Sequence, residues 1–458
     1  MANLTPSNPP YLLLWLLVFA AAAALAGLVQ LAILPHILPA LDGGHGLLIA
    51  TDSLEYHREA ALLAERIRQY GWQEWSLLPK GHVMIGLPAA IYAVTIGEPW
   101  VLIPLSAAAH AFCVLIFMRT MMLFTADWRL AALATLPFAA FPSAMQWYTQ
   151  LLKDGYFLLG LLLFAFGWMR IATVDTWRSG FSQQIISFVS IAFGFVIMAI
   201  VRVYSLNLML FVAVILLIVA ALFLGLAMRR SELTGRQYAT AVIVAVATVA
   251  ALWGIRDSFV SAEIVSADAT SVQDRVDSGT GSWKSDESFL PAAVQRPFLT
   301  LSGICRAYLR GTHGASSIDF DRKLESVPEI LGYLPRALQI GYLAPFPDQW
   351  FGEGSTGATT IMRRVSMLEM IIVYSALAFL PLAIWRWRRS GPFWVLLALS
   401  VSLTLVFTVA TPNVGTLYRV RYGFLMPVVG VGLLAAAEFY CARRKQRHRG
   451  TGTPTQAG

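Results

Sequence analysis

The side chains best suited to chemistry gather in a short polar stretch, Thr51 to His57, just after the first long apolar run. Within it Asp52 and Glu55 stand three positions apart, and Tyr56 follows. A carboxylate next to a bound hydroxyl group can take up its proton, so Asp52 is a candidate general base. The same spacing of Asp and Glu is typical of a capping box, in which both acids only satisfy free amides at a helix start. The stretch therefore has both a catalytic and a purely structural interpretation.

A second acid, Asp154, follows Lys153 in the polar break that begins at Gln150. Apolar runs flank this break on both sides. A charged side chain costs about 2.5–3.5 kcal/mol at the centre of a membrane helix and less near its ends. Lys153 and Asp154 either neutralise each other, or Asp154 starts the next helix, or both face a cavity shared with the first polar stretch.

The elements that must position these residues are membrane helices. The sequence is 57% hydrophobic and 13% charged, whereas soluble domains hold about 45–50% apolar and about 25% charged residues. Its apolar runs are long enough to span a bilayer of about 30 Å as helices, and they lack the alternation of a β-barrel. The net charge of +8 comes from basic residues at the ends of apolar runs, which is typical of orientation in a membrane. We expect an all-α polytopic membrane protein that contacts membrane lipids and does not bind nucleic acid.

The apolar runs predict about ten transmembrane helices. They are approximately Tyr11 to Leu34, Trp100 to Met118, Leu130 to Tyr148, Tyr156 to Ile171, Ile185 to Val201, Leu206 to Met228, Tyr238 to Trp253, Met367 to Trp385, Phe393 to Ala410 and Phe424 to Tyr440. A further apolar piece, His82 to Ile96, contains Gly86 and Pro88 and is short for a span. We expect it to lie on the membrane without crossing.

The distribution of basic residues favours this topology, because cytoplasmic loops carry an excess of Lys and Arg. One side would hold Arg119, Arg129, Arg170, Arg178, Arg229, Arg230, Arg236, Arg386, Arg388, Arg389 and the basic tail. The short loops of the other side would hold only Lys153, Arg202, Arg419 and Arg421. We therefore expect a multi-pass protein of the inner (plasma) membrane, with both termini cytoplasmic and with Asp52 and Asp154 outside.

A set of cations on the expected outside face calls for a reason, since that face should be poor in positive charge. The set consists of Lys80, Lys153, Arg202, Arg419 and Arg421. Anionic lipid headgroups are one possible ligand. A phosphate-bearing substrate is the other, because the guanidinium fork matches phosphate oxygens.

The spans and loops divide the chain into four parts. Residues 1–256 form a seven-span module that includes a first outside loop, 35–99, and residues 257–364 form a second large outside loop. That second loop begins with an acidic, Ser-rich part through Glu287 and ends with the apolar piece Tyr333 to Phe346, for which we expect an interfacial helix. Residues 365–441 supply three C-terminal spans, and residues 442–458 a basic, disordered tail.

This order of parts resembles the GT-C superfamily of integral membrane glycosyltransferases, in particular the protein mannosyltransferase and aminoarabinose transferase branch. The resemblance lies in Asp52 and Tyr56 after the first span, Lys80 beside Pro79, and Asp154 between the third and fourth spans. The segments Phe141 to Ser143, Lys153 to Asp154 and Ala344 to Pro347 also look like membrane glycosyltransferases of bacterial polysaccharide clusters. Two features depart from the usual pattern: Glu55 is not adjacent to Asp52, and Gly81 and His82 follow Lys80 in place of two prolines.

The resemblance implies a polyprenyl-phosphate-linked sugar as donor, transferred on the outer face with inversion to a glycan, lipid or protein acceptor. Asp52 would be the general base, and fixed cations would stabilise the departing phosphate. Those cations would be Lys80, Lys153, Arg419 and Arg421, and the substrate-binding set would also include Glu55, Tyr56 and Arg202. Asp154 would either hold a divalent cation, Mg²⁺ or Mn²⁺, together with Asp52, or orient one of the lysines.

Two other functions fit the same features. A polysaccharide polymerase or ligase also joins lipid-linked sugars on the outer face, and Arg419 and Arg421 would suit it equally. A transporter of lipid-linked saccharides would need the cations but no chemistry. The acidic first loop favours a transferase.

Overall fold

The computed structural model describes residues 9–49, 51–261, 283–284, 290–311, 317–354 and 357–450. Within these ranges the regular structure is helical, and the only β-type pairings are two isolated bridges. The helices are α1 Tyr11–Leu28, α2 Asp52–Tyr70, α3 Val83–Val94, α4 Ile103–Met121, α5 Trp128–Ala140, α6 Pro142–Thr149, α7 Asp154–Ile171, α8 Val174–Arg178, α9 Phe181–Val201, α10 Leu206–Arg229, α11 Gly235–Ser261, α12 Ala292–Gly311, α13 Val327–Leu343, α14 Gly357–Ala378, α15 Leu380–Trp387, α16 Gly391–Ala410, α17 Val414–Val420 and α18 Tyr422–Gly450.

Nine helical stretches in the described part of the chain are long and apolar enough to cross a membrane. They are Tyr11–Ile37, Pro99–Met121, Asp154–Ile171, Phe181–Val201, Val203–Arg229, Gly235–Phe259, Thr360–Trp387, Gly391–Ala410 and Tyr422–Arg444. The expectation of an all-α polytopic membrane protein is confirmed.

The expected span Leu130 to Tyr148 is not among these nine stretches. It is present as two shorter helices, α5 and α6. Phe141 adopts an extended backbone between them, because a residue that precedes proline is disfavoured in the helical region. Pro142 then starts α6, a position where its missing N–H is not needed. Together α5 and α6 cover residues 128–149, which amounts to about 33 Å at 1.5 Å per residue and is enough to cross.

Contacts at one end of the bundle support ten crossings. Asp52 follows the first span, and through Arg419 it joins Asp154, which begins α7. Asp52 and Asp154 can lie on the same side of the membrane only if an even number of spans separates them. The long span that ends at Met121 supplies one crossing, so the pair α5 and α6 must supply the second.

Helix α3 does not add a crossing. It has 12 residues and is therefore about 18 Å long, against a hydrocarbon core of about 30 Å. It packs against α2 through Ala60, Ala64, Met84 and Ala89, which are all buried. Helix α2 and the short apolar piece thus form one helical pair.

The apolar piece Tyr333 to Phe346, for which the sequence predicts an interfacial helix, packs against α16. Most of it belongs to α13, whose Tyr342 hydroxyl is 2.7 Å from the Ser400 hydroxyl, and Ser400 is the tenth of the 20 residues of α16. Gly341 permits the close approach, since a Cβ there would lie 2.2 Å from a methyl carbon of Thr404. The piece is inserted beside α16 because its buried face carries small and apolar residues. Most of the acidic, Ser-rich part (262–282 and 285–289) and the last residues of the tail (451–458) lie outside the described residues.

Candidate functional site

Four charged side chains from distant parts of the chain meet at one end of the bundle, and we call them the charge cluster. They are Asp52, Asp154, Arg202 and Arg419. Arg202 Nη2 donates a hydrogen bond of 2.5 Å to Asp154 Oδ1. Arg419 lies between the two acids, with Nε 3.2 Å from Asp154 Oδ2 and Nη2 3.7 Å from Asp52 Oδ2. The cluster is a chain of alternating charge.

Burial divides the charge cluster into an inner and an outer half. The side chains of Arg202 and Asp154 are 6% and 7% exposed, whereas those of Arg419 and Asp52 are 36% and 53% exposed. Removal of one partner from a buried ion pair is strongly destabilising, so Arg202 and Asp154 depend on each other. The outer pair is open to a ligand.

The inner pair is positioned by a close contact between α7 and α9. A Cβ on Gly160 would lie 2.7 Å from the Gly194 carbonyl oxygen, and one on Gly194 would lie 2.5 Å from that of Gly160. Small residues at a helix contact let two membrane helices approach closely. Since α7 begins at Asp154 and α9 ends next to Arg202, the glycine contact brings the two charged groups together.

Two buried glutamines position Asp52 relative to Asp154. Gln30 Nε2 donates to the Thr149 carbonyl at the end of α6. Gln150 accepts a hydrogen bond from the Leu48 amide through Oε1 at 2.8 Å. The segment that leads into α2 is thereby tied to the break that leads into α7. Gly46 lies in this segment with φ of +69°, and a Cβ there would lie 2.0 Å from the backbone oxygen of Gln30.

The start of α2 does not form the capping box that the sequence allows. Thr51 occupies the N-cap position without a side-chain capping hydrogen bond, and Asp52 is the first helical residue. The Thr51 hydroxyl instead donates to the Leu48 carbonyl at 2.8 Å. The Asp52 carboxylate thus faces the Arg419 guanidinium, which favours the functional interpretation of this acid.

Tyr56 and Lys153 lie beside the charge cluster. Tyr56 is one turn after Asp52 on α2 and is buried. Burial raises the pKa of its hydroxyl group, the Lys153 ammonium acts in the opposite direction, and the Asp52 carboxylate raises that pKa further. Both charges are therefore close to the Tyr56 hydroxyl, and Lys153 adds positive charge to this end of the bundle.

A small cavity adjoins the inner half of the charge cluster. Its volume is about 20 Å³, which is room for a water molecule or two. Its lining residues are Trp147, Asp154, Phe157, Leu158, Leu161, Arg202, Arg419, Val420, Tyr422 and Gly423. Three buried N–H groups of this lining, Arg202 Nε, Arg419 Nε and Trp147 Nε1, have no hydrogen-bond acceptor among the described residues. The contact of Arg419 Nε with Asp154 is ionic and lacks hydrogen-bond geometry, so these groups offer donors to an anion or to water.

Three of the predicted site residues lie elsewhere. Glu55 is exposed and has no hydrogen bond or ion pair in the described structure. Lys80 makes an ion pair of 2.7 Å with Glu59 of α2. Arg421 is fully buried and donates to the Gly341 carbonyl at 2.8 Å. Burial lowers the pKa of the Arg421 guanidinium to about 10, so it stays cationic at neutral pH, as an internal packing group.

The carboxylates of the charge cluster do not fit a divalent cation. Mg²⁺ requires a near-octahedral set of oxygen ligands, and both oxygens of Asp154 face guanidinium groups. Within the described ranges, no three His, Cys, Asp or Glu side chains are close enough together to hold a metal ion. Because the two arginines already balance the two acids, we derive no step through a metal.

Sequence reasoning missed two aromatic residues of the site, Phe157 and Trp147. Phe157 lies three positions after Asp154 on α7, and the Arg202 guanidinium lies 4.8 Å from the centre of its ring. That spacing places Phe157 on the same helical face as Asp154, so it could have been predicted. Trp147 belongs to α6, on the other side of the polar break, and no spacing rule links it to the cluster.

The chain was compared with protein-family models, curated proteins and solved structures. No protein-family model matches the chain, and no curated protein matches it in sequence. Among solved structures, the archaeal oligosaccharyltransferase AglB from Archaeoglobus fulgidus, in complex with an inhibitory peptide and a dolichol-phosphate, is similar over 97% of this chain, with 14% identity and a TM-score of 0.46. The chain spans about half (52%) of the length of AglB. A likeness of this degree carries no argument about family, substrate or reaction.

Proposed function

We propose that the chain is a membrane glycosyltransferase that moves a sugar from a polyprenyl-phosphate-linked donor to a glycan, lipid or protein acceptor on the outer face of the membrane. The observation that carries the proposal is the meeting of Asp52, Asp154, Arg202 and Arg419 at one end of the bundle. A half-exposed carboxylate beside a half-exposed guanidinium supplies a base and an anion-binding group side by side. The sequence resemblance supplies the class of donor.

Arg419 and Lys153 would bind the donor phosphate. Arg419 is partly exposed, and its Nε has no hydrogen-bond acceptor among the described residues, so its fork can turn to phosphate oxygens. Arg202 is held by Asp154 inside the protein. Its charge balances that of Asp154 without reaching the donor, and Asp154 in turn orients Arg419.

Asp52 would take the proton of the acceptor hydroxyl group. The acceptor oxygen then forms a bond to the anomeric carbon while the bond from that carbon to the phosphate oxygen breaks. The phosphate leaves with the electron pair, and fixed cations stabilise the charge that develops on it. Attack from the face opposite the phosphate gives inversion.

Arg419 would also link donor binding to the activity of the base. It contacts Asp52 at 3.7 Å and Asp154 at 3.2 Å, so an incoming phosphate competes with both acids for one guanidinium. Once Arg419 turns to the phosphate, the Asp52 carboxylate is released from this contact and can face the acceptor hydroxyl group.

The test is a transfer assay with the purified, lipid-reconstituted protein and a panel of radiolabelled polyprenyl-phosphate sugars and acceptors. We expect a radiolabelled product whose formation falls at least about 100-fold in Asp52→Asn, the usual scale for loss of a general base. Asp175→Asn is the matched control, because Asp175 is an exposed acid on α8 outside the charge cluster. Full turnover of Asp52→Asn would refute the role of Asp52. Donor binding without any product would instead indicate a transporter.

A further inference from the structure

A buried acid outside the charge cluster has no part in the mechanism above. Glu369 lies on α14, within the span Thr360–Trp387, and is 2% exposed. An ionisable group at such a place is costly unless it is paired and hydrogen-bonded. Glu369 Oε1 accepts a hydrogen bond of 2.7 Å from the Ser143 amide, and Oε2 accepts one from the Tyr418 hydroxyl.

These two bonds join the elements that supply the charge cluster. Ser143 lies in the first turn of α6, the helix that leads through Gln150 to Asp154. Tyr418 immediately precedes Arg419 on α17. Successive residues of a helix point about 100° apart, so Tyr418 reaches Glu369 while Arg419 reaches Asp154. One carboxylate thereby fixes α17 against α6.

Arg421 fastens the other side of α17. Its guanidinium lies 4.7 Å from the centre of the Tyr418 ring and donates to the Gly341 carbonyl of α13. Burial raises the pKa of the Tyr418 hydroxyl, and the Glu369 charge raises it further, so Tyr418 is a neutral donor to that carboxylate. Of the two arginines Arg419 and Arg421, only Arg419 stays partly exposed. Tyr418 before it and Arg421 after it are anchored inside the protein.

We propose that Glu369 is a positioning residue that acts through Tyr418 to hold Arg419 Nε against Asp154. The inference rests on the proposed function for its consequence, which is the affinity for the donor phosphate. A displacement of about 1 Å at a binding group can reduce activity by about 100-fold. Glu369 therefore sets the position of Arg419 without touching the substrate.

The test compares Tyr418→Phe with a matched control, Tyr342→Phe. Each change removes one part-buried hydroxyl hydrogen bond, to Glu369 or to Ser400 respectively, but only the first lies on α17. We expect both to lower the thermal midpoint, Tyr418→Phe by more, because its partner is a carboxylate. Tyr418→Phe should raise the donor KM roughly tenfold, the effect of a lost hydrogen bond to a charged group, and Tyr342→Phe should leave it within about twofold.

A cycle with Arg419→Ala separates positioning from general stability. If Tyr418 acts through Arg419, Tyr418→Phe has no further effect on the donor KM in the Arg419→Ala background. The thermal midpoints of the same four proteins need no substrate, and we expect the two losses to be less than additive there. An unchanged KM in Tyr418→Phe, or strictly additive losses in either readout, would overturn the positioning role. Absence of turnover in the parent protein would refute the proposed function alone, since the thermal cycle still tests the positioning.

Discussion

The buried pair of Asp154 and Arg202 gives the sharpest quantitative prediction. Asp154→Asn keeps the shape of the side chain but leaves the Arg202 guanidinium, 6% exposed, without its countercharge. Removal of one partner from a buried ion pair costs about 3–5 kcal/mol. At about 1.4 kcal/mol per tenfold change, this is roughly a 100-fold to 4,000-fold shift toward the unfolded state. Arg419 does not compensate, because it carries the same sign of charge as Arg202.

A second substitution should rescue stability without rescuing activity. Asp154→Asn combined with Arg202→Met removes both charges of the pair, and replacement of a buried pair by apolar groups is often neutral. We expect the double variant to recover most of the lost stability, with a coupling energy of roughly 2–3 kcal/mol. Its turnover should stay low, because the Asp154 carboxylate that contacts Arg419 is still missing.

The assay is the fraction of solubilised protein that stays monodisperse after heating, with turnover measured on the same preparations. Asp175→Asn serves as the control, because Asp175 faces Arg178 at 4.0 Å in an exposed pair, and such pairs contribute little. An Asp154→Asn variant as stable as the parent would refute the reasoning. So would a double variant that is no more stable than Asp154→Asn, since the loss would then not arise from an uncompensated charge.

Three further predictions concern topology, packing and metal. In a Cys441→Ser background, Arg58→Cys should react with an impermeant maleimide in intact cells, and Asp175→Cys only after permeabilisation; the reverse pattern would contradict the proposed outer-face site. Gly194→Leu should lower the thermal midpoint strongly, because its side chain would collide with the α7 backbone, whereas Gly254→Leu meets open space and should not. Chelation of divalent cations should leave donor affinity unchanged, as guanidinium groups occupy the carboxylates; a loss that Mg²⁺ or Mn²⁺ restores would contradict this.

The sequence predicted that the charged residues share one side of the membrane, but not which of them touch. Asp52, Asp154, Arg202 and Arg419 all follow or precede spans, and the count of crossings put them at one end of the bundle. The same argument included Lys80, which pairs with Glu59 instead. The partner of Lys80 depends on the rotation of α2 and on the turn at residues 79–81. A count of spans specifies neither.

Arg419 and Arg421 show why position in the sequence was not sufficient. They are two residues apart and were predicted to play the same part, yet one reaches the two acids and the other is buried against α13. Two steps along a helix rotate the side chain by about 200°. The seven residues of α17 are too few to show a periodic pattern that would reveal the inward face.

Glu369 is harder to predict from the sequence, because its hydrogen-bond partners are far from it along the chain. Ser143 is 226 positions away in sequence, and no local pattern connects them. The available clue was the acid itself, since an acid within an apolar run is costly and therefore marks a functional or structural site.

The difference in burial between the inner and outer halves of the charge cluster decides which substitution can test the chemistry. A substitution at Asp154 or Arg202 removes a buried charge, so lost activity there would follow equally from a catalytic role and from a weakened fold. Asp52 has more than half of its side chain exposed and a single long contact of 3.7 Å, and an exposed ion pair of this kind contributes little to stability. A variant at Asp52 that folds normally and fails to turn over therefore has one explanation, the loss of a group that acts on the substrate. The inner pair, Asp154 and Arg202, supports the positions of Asp52 and Arg419.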